Sequence, residues 1–198
     1  MEETSKEDKI KSEILKAALL IFQQYGLTKT TMEDIARAAG KGKSTLYYYY
    51  KSKDEVFKEV VIEQMQELFN LVREKVNECE SSTDKLKMFI STTFNEMRNK
   101  MVLYKTVTMD ISKNFSIIFD LRKLFLTEER NDLQRIIELG VRNGEFKSMT
   151  KKEASILSYI IISATRSLEL DLFLDNMIND TELKLGSMMD LLINGLKK

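Results

Sequence analysis

Residues 30–57 read TTMEDIARAAGKGKSTLYYYYKSKDEVF, and this stretch decides the fold. Thr30 and Glu33 have the spacing of a capping box, in which a hydroxyl and a carboxylate each accept a hydrogen bond from a free backbone N–H at a helix start. This spacing predicts a helix that begins at Thr30 and ends before the turn Gly40-Lys41-Gly42. Another helix is predicted over 43–50. Two helices joined by a tight glycine turn are typical of a helix-turn-helix.

Long helices account for the rest of the chain. Apolar residues at helical spacing predict a first helix from about Glu7 to Tyr25, which Gly26 ends. The sequence has no proline and only seven glycines, too few turn-forming residues for a β-rich fold of this length. We therefore expect an all-α protein with an N-terminal three-helix helix-turn-helix domain over 1–52 and a C-terminal helical domain over 53–198.

Capping and periodicity signals also locate the helices of the C-terminal part. Capping boxes at Ser52–Glu55 and Thr150–Glu153 open two of them, and Ser81–Asp84 opens another. The apolar stretch from Met101 to Phe119 is predicted to be irregular. The approximate helices are 52–78, one from 81 to the start of that stretch, 121–142, 150–174 and 181–196.

Composition excludes several classes of function. The 198 residues include one cysteine, Cys79, and no histidine. An intrachain disulfide, histidine-based acid–base catalysis, a histidine-activated nucleophile and a Cys/His zinc site are therefore excluded. The N-terminal segment MEETSKEDKIKSEIL lacks the apolar core of a signal peptide, and the apolar run 159–164 is too short to span a bilayer. We expect a cytoplasmic protein that is not an enzyme, holds neither metal nor cofactor, and does not engage a membrane.

Positive charge is concentrated in one short window of a chain that is neutral as a whole. The sequence has 31 basic and 31 acidic residues, but between Lys29 and Lys53 six basic residues face two acidic ones, a net charge of +4. Such a patch attracts phosphates. The alternative interpretation is a solvated, lysine-rich surface without a partner.

The helix predicted over 43–50 has two distinct faces. At about 100° per residue, Leu46 and Tyr50 fall on one side and are expected to face the core. Tyrosine hydroxyls reach phosphate oxygens, and tyrosine rings pack on sugars and thymine methyls. The alternative is a tyrosine-rich helix packed on the first helix, which we favour for Tyr50 but not for Tyr47 and Tyr48. The opposite face presents Ser44, Thr45, Tyr47 and Tyr48.

Residues 30–57 resemble the DNA-binding signature of the TetR/AcrR family of regulators, and the match extends over roughly 10–60. The resemblance implies a homodimeric transcription regulator that binds double-stranded operator DNA. It implies a phosphate held by the two threonines at a helix N-terminus, base or backbone contacts by the reading helix, and phosphate contacts by Tyr47 and Lys53. The implied DNA-binding residues are Thr30, Thr31, Lys41, Lys43, Ser44, Thr45, Tyr47, Tyr48, Tyr49 and Lys53.

The chain departs from the family pattern in and beside the reading helix. Lys41 stands where the family usually has a small apolar residue, and Gly42 stands where it has serine or threonine. Ser44 replaces a frequent glycine, and Tyr49 a frequent histidine. Gly42 weakens the helix cap by about a few tenths of a kcal/mol. These differences leave the fold unaffected, but no operator sequence can be transferred from the family.

The resemblance further implies that the C-terminal domain dimerises and holds a small-molecule inducer. Residues 140–146, GVRNGEF, resemble a turn that many members carry. Two apolar helix faces are predicted to form a four-helix dimer interface, unless they belong to the protein's own core. The predicted interface residues are Ile156, Tyr159, Ile160, Met188, Met189 and Leu192.

Aromatic and methionine side chains of the C-terminal part suit an adaptable apolar pocket, with ordinary core packing as the alternative. Arg166 and Glu169 are candidates for a buried pair or for polar groups of the pocket. The predicted pocket residues are Phe89, Met97, Tyr104, Met109, Phe115, Phe119 and Phe125.

Three functions are compatible with these features. The first is a repressor that a small apolar or amphipathic ligand releases from its operator. The second is a ligand-independent, architectural DNA-binding protein of the same fold. The third is an enzyme or an unrelated helical interaction module. The missing histidine, metal cluster and phosphate loop argue against an enzyme, and the basic window favours a DNA binder, whose affinity falls steeply with salt.

Overall fold

The computed structural model describes the backbone of residues 6–108, 111–175 and 178–198, and their side chains except at 101–122, 170–180 and 182. Within these ranges the chain forms eight α-helices, which confirms the expected all-α fold. None of the described helices combines the length and the apolar character that crossing a membrane requires. The helices are α1 (Lys6–Lys29), α2 (Met32–Ala38), α3 (Lys43–Tyr49), α4 (Lys53–Glu78), α5 (Ser82–Thr108), α6 (Ile111–Arg142), α7 (Lys151–Asp175) and α8 (Ile178–Leu196).

The described residues group into two compact units. The first unit lies within Met1–Gln66 and Lys100–Arg122. The second lies within Glu67–Asn99 and Lys123–Lys198. The first unit therefore contains the complete helix-turn-helix, α2 and α3, together with α1 and the first half of α4.

Apolar side chains from four helices form the core of the first unit. Phe22 of α1 and Phe57 of α4 are fully buried, and their ring centroids lie 5.4 Å apart in an edge-to-face arrangement. Ile35 of α2 and Leu46 of α3 are equally buried. Each such side chain contributes about 1.5–3 kcal/mol of hydrophobic free energy. This packing holds α2 against both α1 and α3.

The start of α2 differs by one residue from the sequence prediction. The N-cap is Thr31, whose Oγ1 accepts a hydrogen bond from the Asp34 N–H at 3.2 Å, while Asp34 Oδ2 accepts one from the Thr31 N–H at 3.1 Å. The predicted box of Thr30 and Glu33 is therefore wrong. The Thr30 hydroxyl is buried and donates to the carbonyl of Gly26 at 2.6 Å, so it is not available as a cap.

Gly26 interrupts α1 where the sequence predicts its end. Its φ of 78° and ψ of 168° are not helical, and glycine adopts such a positive φ without steric cost. Side chains donate hydrogen bonds to the carbonyl groups of Gly26, Leu27 and Thr28, which lie at and directly after the break. The Thr30 hydroxyl is one of these side chains.

The other predicted caps have different outcomes. At α7 both halves of the box are present, because Thr150 Oγ1 accepts from the Glu153 N–H at 3.2 Å and Glu153 Oε2 accepts from the Thr150 N–H at 2.7 Å. At α4, Ser52 Oγ accepts from the Glu55 N–H at 3.2 Å. The Glu55 carboxylate, however, accepts from the N–H of residue 51 rather than of residue 52, at 2.7 Å.

The prediction of an irregular stretch from Met101 to Phe119 is wrong. Helix α5 extends to Thr108, and α6 begins at Ile111, ten residues before the predicted start at 121. The sequence has neither proline nor glycine between residues 43 and 139, so nothing in this segment removes a backbone donor or favours a non-helical φ.

The turn over 140–146 joins α6 to α7 through close packing. A Cβ atom on Gly140 would overlap the ring of Phe146, which is fully buried. Gly144 has a φ of 75°, in the left-handed region. Phe146 forms an antiparallel bridge with Lys197. The turn therefore requires glycine at two places for two different reasons, close approach and backbone conformation.

Glu145 of the same turn caps α5. Its carboxylate oxygens accept hydrogen bonds from the backbone N–H of Ser82 at 2.8 Å and of Thr83 at 3.0 Å. Desolvation raises the pKa of Glu145, but these hydrogen bonds to Ser82 and Thr83 outweigh it and leave the pKa below its ordinary value of 4.5. A carboxylate at this place also interacts favourably with the positive end of the helix dipole.

We predict that Glu145→Gln lowers the free energy of unfolding by about 1–2 kcal/mol at neutral pH. Because the folded pKa is depressed, the carboxylate stabilises the wild type above the unfolded pKa of about 4.5, and this contribution is lost as the pH falls through the folded pKa. The difference between wild type and variant should therefore shrink in acid. Urea unfolding across this pH range measures it, with the exposed Glu80→Gln as control. A constant difference at every pH would contradict the assignment.

Candidate nucleic-acid interface

Helix α3 has one buried and one exposed face, as the helical wheel predicts. Leu46 is fully buried, and Tyr50, the C-cap, is 5% exposed. Tyr48 is 75% exposed and Tyr47 is 43% exposed. Ser44 is also exposed. The helix therefore anchors itself in the core with two side chains and presents aromatic and hydroxyl groups on its outer side.

The exposed tyrosines are held by contacts with their neighbours. The rings of Tyr48 and Tyr49 meet edge to face with centroids 5.0 Å apart. The Lys43 ammonium lies 5.8 Å from the centroid of the Tyr47 ring, a cation–π distance. Burial raises the pKa of Tyr50 to about 12, and desolvation also raises that of Tyr49. Both phenols therefore stay protonated at neutral pH and keep their hydrogen-bond donors.

The predicted DNA-binding residues fall into two groups. Most lie on accessible surface at the start of α2, in the turn and on α3. Thr30 does not belong with them, since it is 1% exposed and its hydroxyl binds Gly26. The accessible or partly accessible ones are Thr31, Lys41, Lys43, Ser44, Thr45, Tyr47, Tyr48 and Tyr49.

Lys53 also differs from the accessible residues, because its ammonium donates hydrogen bonds to backbone carbonyls of the same chain. Its Nζ donates to the carbonyls of Leu27 at 2.8 Å, Thr28 at 3.1 Å and Thr30 at 3.1 Å. An ammonium has three N–H donors, and three carbonyls occupy them here. Lys53 thus ties the start of α4 to the segment between Gly26 and α2. Gly26, whose backbone is not helical, directly precedes the first two of these carbonyls and is the sequence feature that marks this segment.

The two other lysines of the turn region form ion pairs with acids of neighbouring helices. Lys41 Nζ lies 2.7 Å from Glu13 Oε2 of α1, and Lys43 pairs with Glu33 of α2. The hydrogen bond from Lys41 lowers the pKa of Glu13, and that from Lys43 lowers the pKa of Glu33. Both acids are therefore ionised at neutral pH. The sequence analysis did not identify either acid as the partner of a lysine.

Comparison with known proteins identifies the family. The model of the bacterial regulatory proteins of the tetR family matches residues 14–60. The HTH-type transcriptional repressor KstR2 of Mycolicibacterium smegmatis is 30% identical over 145 residues, which cover 69% of this chain and 67% of that protein. The chain belongs to the tetR family. KstR2 of Rhodococcus jostii is 28% identical over 152 residues, covering 74% of this chain and 72% of the relative.

Solved structures of regulators have the same fold. A transcriptional regulator from Cytophaga hutchinsonii has a TM-score of 0.77 at 25% identity and covers 93% of this chain and 97% of its own. The regulator FadR from Bacillus subtilis, in complex with stearoyl-CoA, has a TM-score of 0.68 at 21% identity, with coverage of 93% and 98%. Membership of the tetR family confirms the expectation of a transcription regulator with a DNA-binding helix-turn-helix.

The predicted pocket residues of this tetR-family chain are only partly described. Phe89 and Phe125 are buried, and Met97 is half-buried. The ring of Phe125 lies 5.6 Å from that of Phe69, centroid to centroid. The side chains of Tyr104, Met109, Phe115 and Phe119 lie outside the described residues.

The second unit also contains polar side chains that are buried or half-buried. Arg166 Nη2 donates to Glu129 Oε2 at 2.5 Å, and the side chains are 20% and 7% exposed. Glu129, which sequence reasoning missed, is thus the partner of the predicted candidate Arg166. Among the described side chains, the buried atoms Arg130 Nε and Thr93 Oγ1 have no hydrogen-bond partner. Such groups cost free energy when they stay unpaired, so they are suited to receive a polar group from outside.

The predicted dimer residues form two groups of different exposure. Ile156, Tyr159 and Ile160 of α7 are 51%, 51% and 54% exposed, which is unusual for three neighbouring large apolar residues on one helix face. Met188, Met189 and Leu192 of α8 are half-buried. Helices α7 and α8 pack on each other within the second unit.

Proposed function

We propose that this tetR-family protein is a homodimeric repressor that binds a palindromic operator and leaves it when a small apolar or amphipathic ligand binds. The exposed outer face of α3 carries the proposal, since Tyr47 and Tyr48 are large and accessible, and Tyr47 lies next to Lys43. An exposed aromatic face beside a positive charge is suited to the sugars, phosphates and thymine methyls of DNA.

In this proposal α3 enters the major groove. Ser44, Thr45 and Tyr48 meet base edges or nearby backbone, and Tyr47 with Lys43 binds phosphate. Thr31 lies at the N-terminus of α2, where backbone N–H groups and the helix dipole favour an anion. Residues 1–52 would form the DNA-binding domain. A two-fold dimer presents its two α3 helices about 34–36 Å apart, one turn of the DNA helix.

The dimer is proposed to form through the exposed face of α7 together with α8. Ile156, Tyr159 and Ile160 would be buried by the same face of a second copy, because a two-fold interface is self-complementary. Four helices, two from each copy, then form a bundle. The exposure of these three side chains in the single chain supports this assignment.

The ligand is proposed to bind in the C-terminal domain, over residues 53–198. Aromatic side chains such as Phe89 and Phe125 suit its apolar part, and the unpartnered groups of Arg130 and Thr93 suit its polar part. Relatives give support, since KstR2 is named a transcriptional repressor and the FadR structure holds stearoyl-CoA. A ligand that binds one dimer state more tightly shifts the population towards that state, here one whose α3 helices no longer match the operator.

The second candidate function is ligand-independent, architectural DNA binding by the same fold. The Glu129–Arg166 pair favours it, because these two charged groups bind each other without a ligand. The two functions differ in whether a small molecule stabilises the protein and releases DNA.

We predict that Tyr48→Ala weakens binding to the selected operator by about tenfold or more, because one contact in the major groove carries roughly 1–3 kcal/mol. Genome-fragment selection with the purified protein at two salt concentrations finds the operator, and a titration compares the variants. Tyr25→Ala is the matched control, since Tyr25 is 51% exposed but lies on α1 outside the proposed interface. If the selection enriches no palindrome and the protein shows only salt-sensitive binding to any sequence, the repressor function is contradicted and the architectural function is supported.

We predict that Ile160→Asp converts the dimer into a monomer at micromolar concentration, because it would bury an unpaired charge at the interface. Sedimentation velocity measures the change. Leu20→Asp serves as control, since Leu20 is 65% exposed on α1 and should leave the dimer intact. If Ile160→Asp sediments as the wild type does, the interface lies elsewhere.

We predict that an acyl-coenzyme A such as stearoyl-CoA raises the unfolding temperature by roughly 5 °C at one hundred times its dissociation constant. The same compound should release the operator in an anisotropy assay. Free coenzyme A is the control for binding through the nucleotide alone. Release of DNA without thermal stabilisation would point to competition for the interface, and the absence of both effects would favour ligand-independent binding.

A further inference from the structure

Acidic side chains pair with three of the six basic residues in the window 29–53, which contains the proposed DNA-binding surface. In the fully described window 29–53, the sequence has six basic residues. Lys41 pairs with Glu13, Lys43 with Glu33, and the Arg37 guanidinium lies 3.7 Å from Asp34. Lys53 is held by three backbone carbonyls. The net charge of this window therefore overstates the cations that are free to bind phosphate.

The side chains of these ion pairs are exposed or half-buried, so the pairs contribute little to the stability of the fold. The Lys43 and Glu33 side chains are 60% and 46% exposed, and those of Lys41 and Glu13 are 26% and 43% exposed. Exposed ion pairs contribute little to folding, because water and salt screen them and long side chains lose freedom. Their location is more informative. Lys41 lies in the turn before α3, and Lys43 is the first residue of α3.

The partner acids lie on helices other than those of the lysines they bind. Glu33 is in the first turn of α2, and Glu13 is in the middle of α1. Glu33 therefore competes with a phosphate for the Lys43 ammonium.

We propose that Glu13 and Glu33 are affinity-setting residues, which compete with DNA phosphates for Lys41 and Lys43 and weaken the sequence-independent part of binding. This inference rests on the proposed function in one respect, that the two lysines face DNA. Each lysine must exchange a carboxylate for a phosphate when the protein binds. The carboxylate left behind lies close to the DNA backbone and repels it.

The exchange has a measurable thermodynamic signature. A lysine that meets a phosphate releases a counterion and steepens the dependence of the binding constant on salt by about 0.9. A lysine that leaves a carboxylate exposes a charge that recruits cations from solution, which cancels part of this gain. Removing the acid should restore the full salt dependence. Because phosphates are the same on every sequence, the effect should be equal on specific and random DNA.

The test uses the full chain and two duplexes, the selected palindrome and a random sequence of equal length. Fluorescence anisotropy gives the dissociation constants of wild type, Glu13→Gln and Glu33→Gln between about 50 and 200 mM salt. We expect each variant to bind both duplexes about two- to fivefold more tightly. The slope of log K against log salt should steepen by up to about 0.9.

Two controls separate this exchange from a general effect of charge. Glu74→Gln makes the same charge change at an exposed site of α4 in the second unit and should leave both affinities unchanged. In the background of Lys43→Gln, the further change Glu33→Gln should give a smaller gain than in the wild type, because only the repulsion between this carboxylate and the phosphates remains. A full gain in that background would overturn the exchange, since Glu33 would then act through its own charge alone.

Failure of the inference and failure of the proposed function give different results. If the wild type selects a palindrome but Glu13→Gln and Glu33→Gln change neither affinity nor slope, the inference is wrong and the repressor stands. If the wild type selects no palindrome, the repressor is wrong, and the random duplex still decides whether the acids compete with phosphate. Circular dichroism of each variant verifies that the helices are retained.

Discussion

Burial of Leu46 and Tyr50 fixes the rotation of α3 about its own axis, and the arrangement of the proposed interface depends on it. A seven-residue helix has few turns with which to hold itself, and its N-cap, Gly42, makes no side-chain hydrogen bond. Two buried side chains, with about 1.5–3 kcal/mol each, supply the anchor that capping does not. Since four tyrosines follow one another, the same anchor decides which of them meet solvent.

The helices were predictable from local patterns, whereas several of their ends were not. The box at Thr150 and Glu153 formed as expected, with each side chain accepting a hydrogen bond from the backbone N–H of the other residue. At α2 the pairs Thr30–Glu33 and Thr31–Asp34 have the same spacing, so sequence alone could not choose between them. The Thr30 hydroxyl donates to the carbonyl of Gly26, and Thr31 is the N-cap. Helices α5 and α6 are longer than predicted, because an irregular apolar pattern does not end a helix in a segment without glycine or proline.

The direction of the side chains on α3 could be predicted, since helical geometry alone determines it. The partners of the charged groups could not. Glu13 and Lys41 are far apart along the chain, as are Glu129 and Arg166, so no spacing rule connects either pair. Lys53 resembles a phosphate contact in sequence, yet its ammonium donates to the three backbone carbonyls of Leu27, Thr28 and Thr30. Tertiary contacts determined each of these.

The packing of Gly140 against Phe146 has a consequence for how related sequences can diverge. Any larger residue at position 140 meets the aromatic ring, so that position can change only after position 146 has become smaller. A smaller residue there would leave a void in a fully buried site, next to the bridge between Phe146 and Lys197. Each single step is therefore unfavourable, and the two positions are expected to be inherited as a pair. The turn GVRNGEF is constrained as one unit, although only some of its residues are buried.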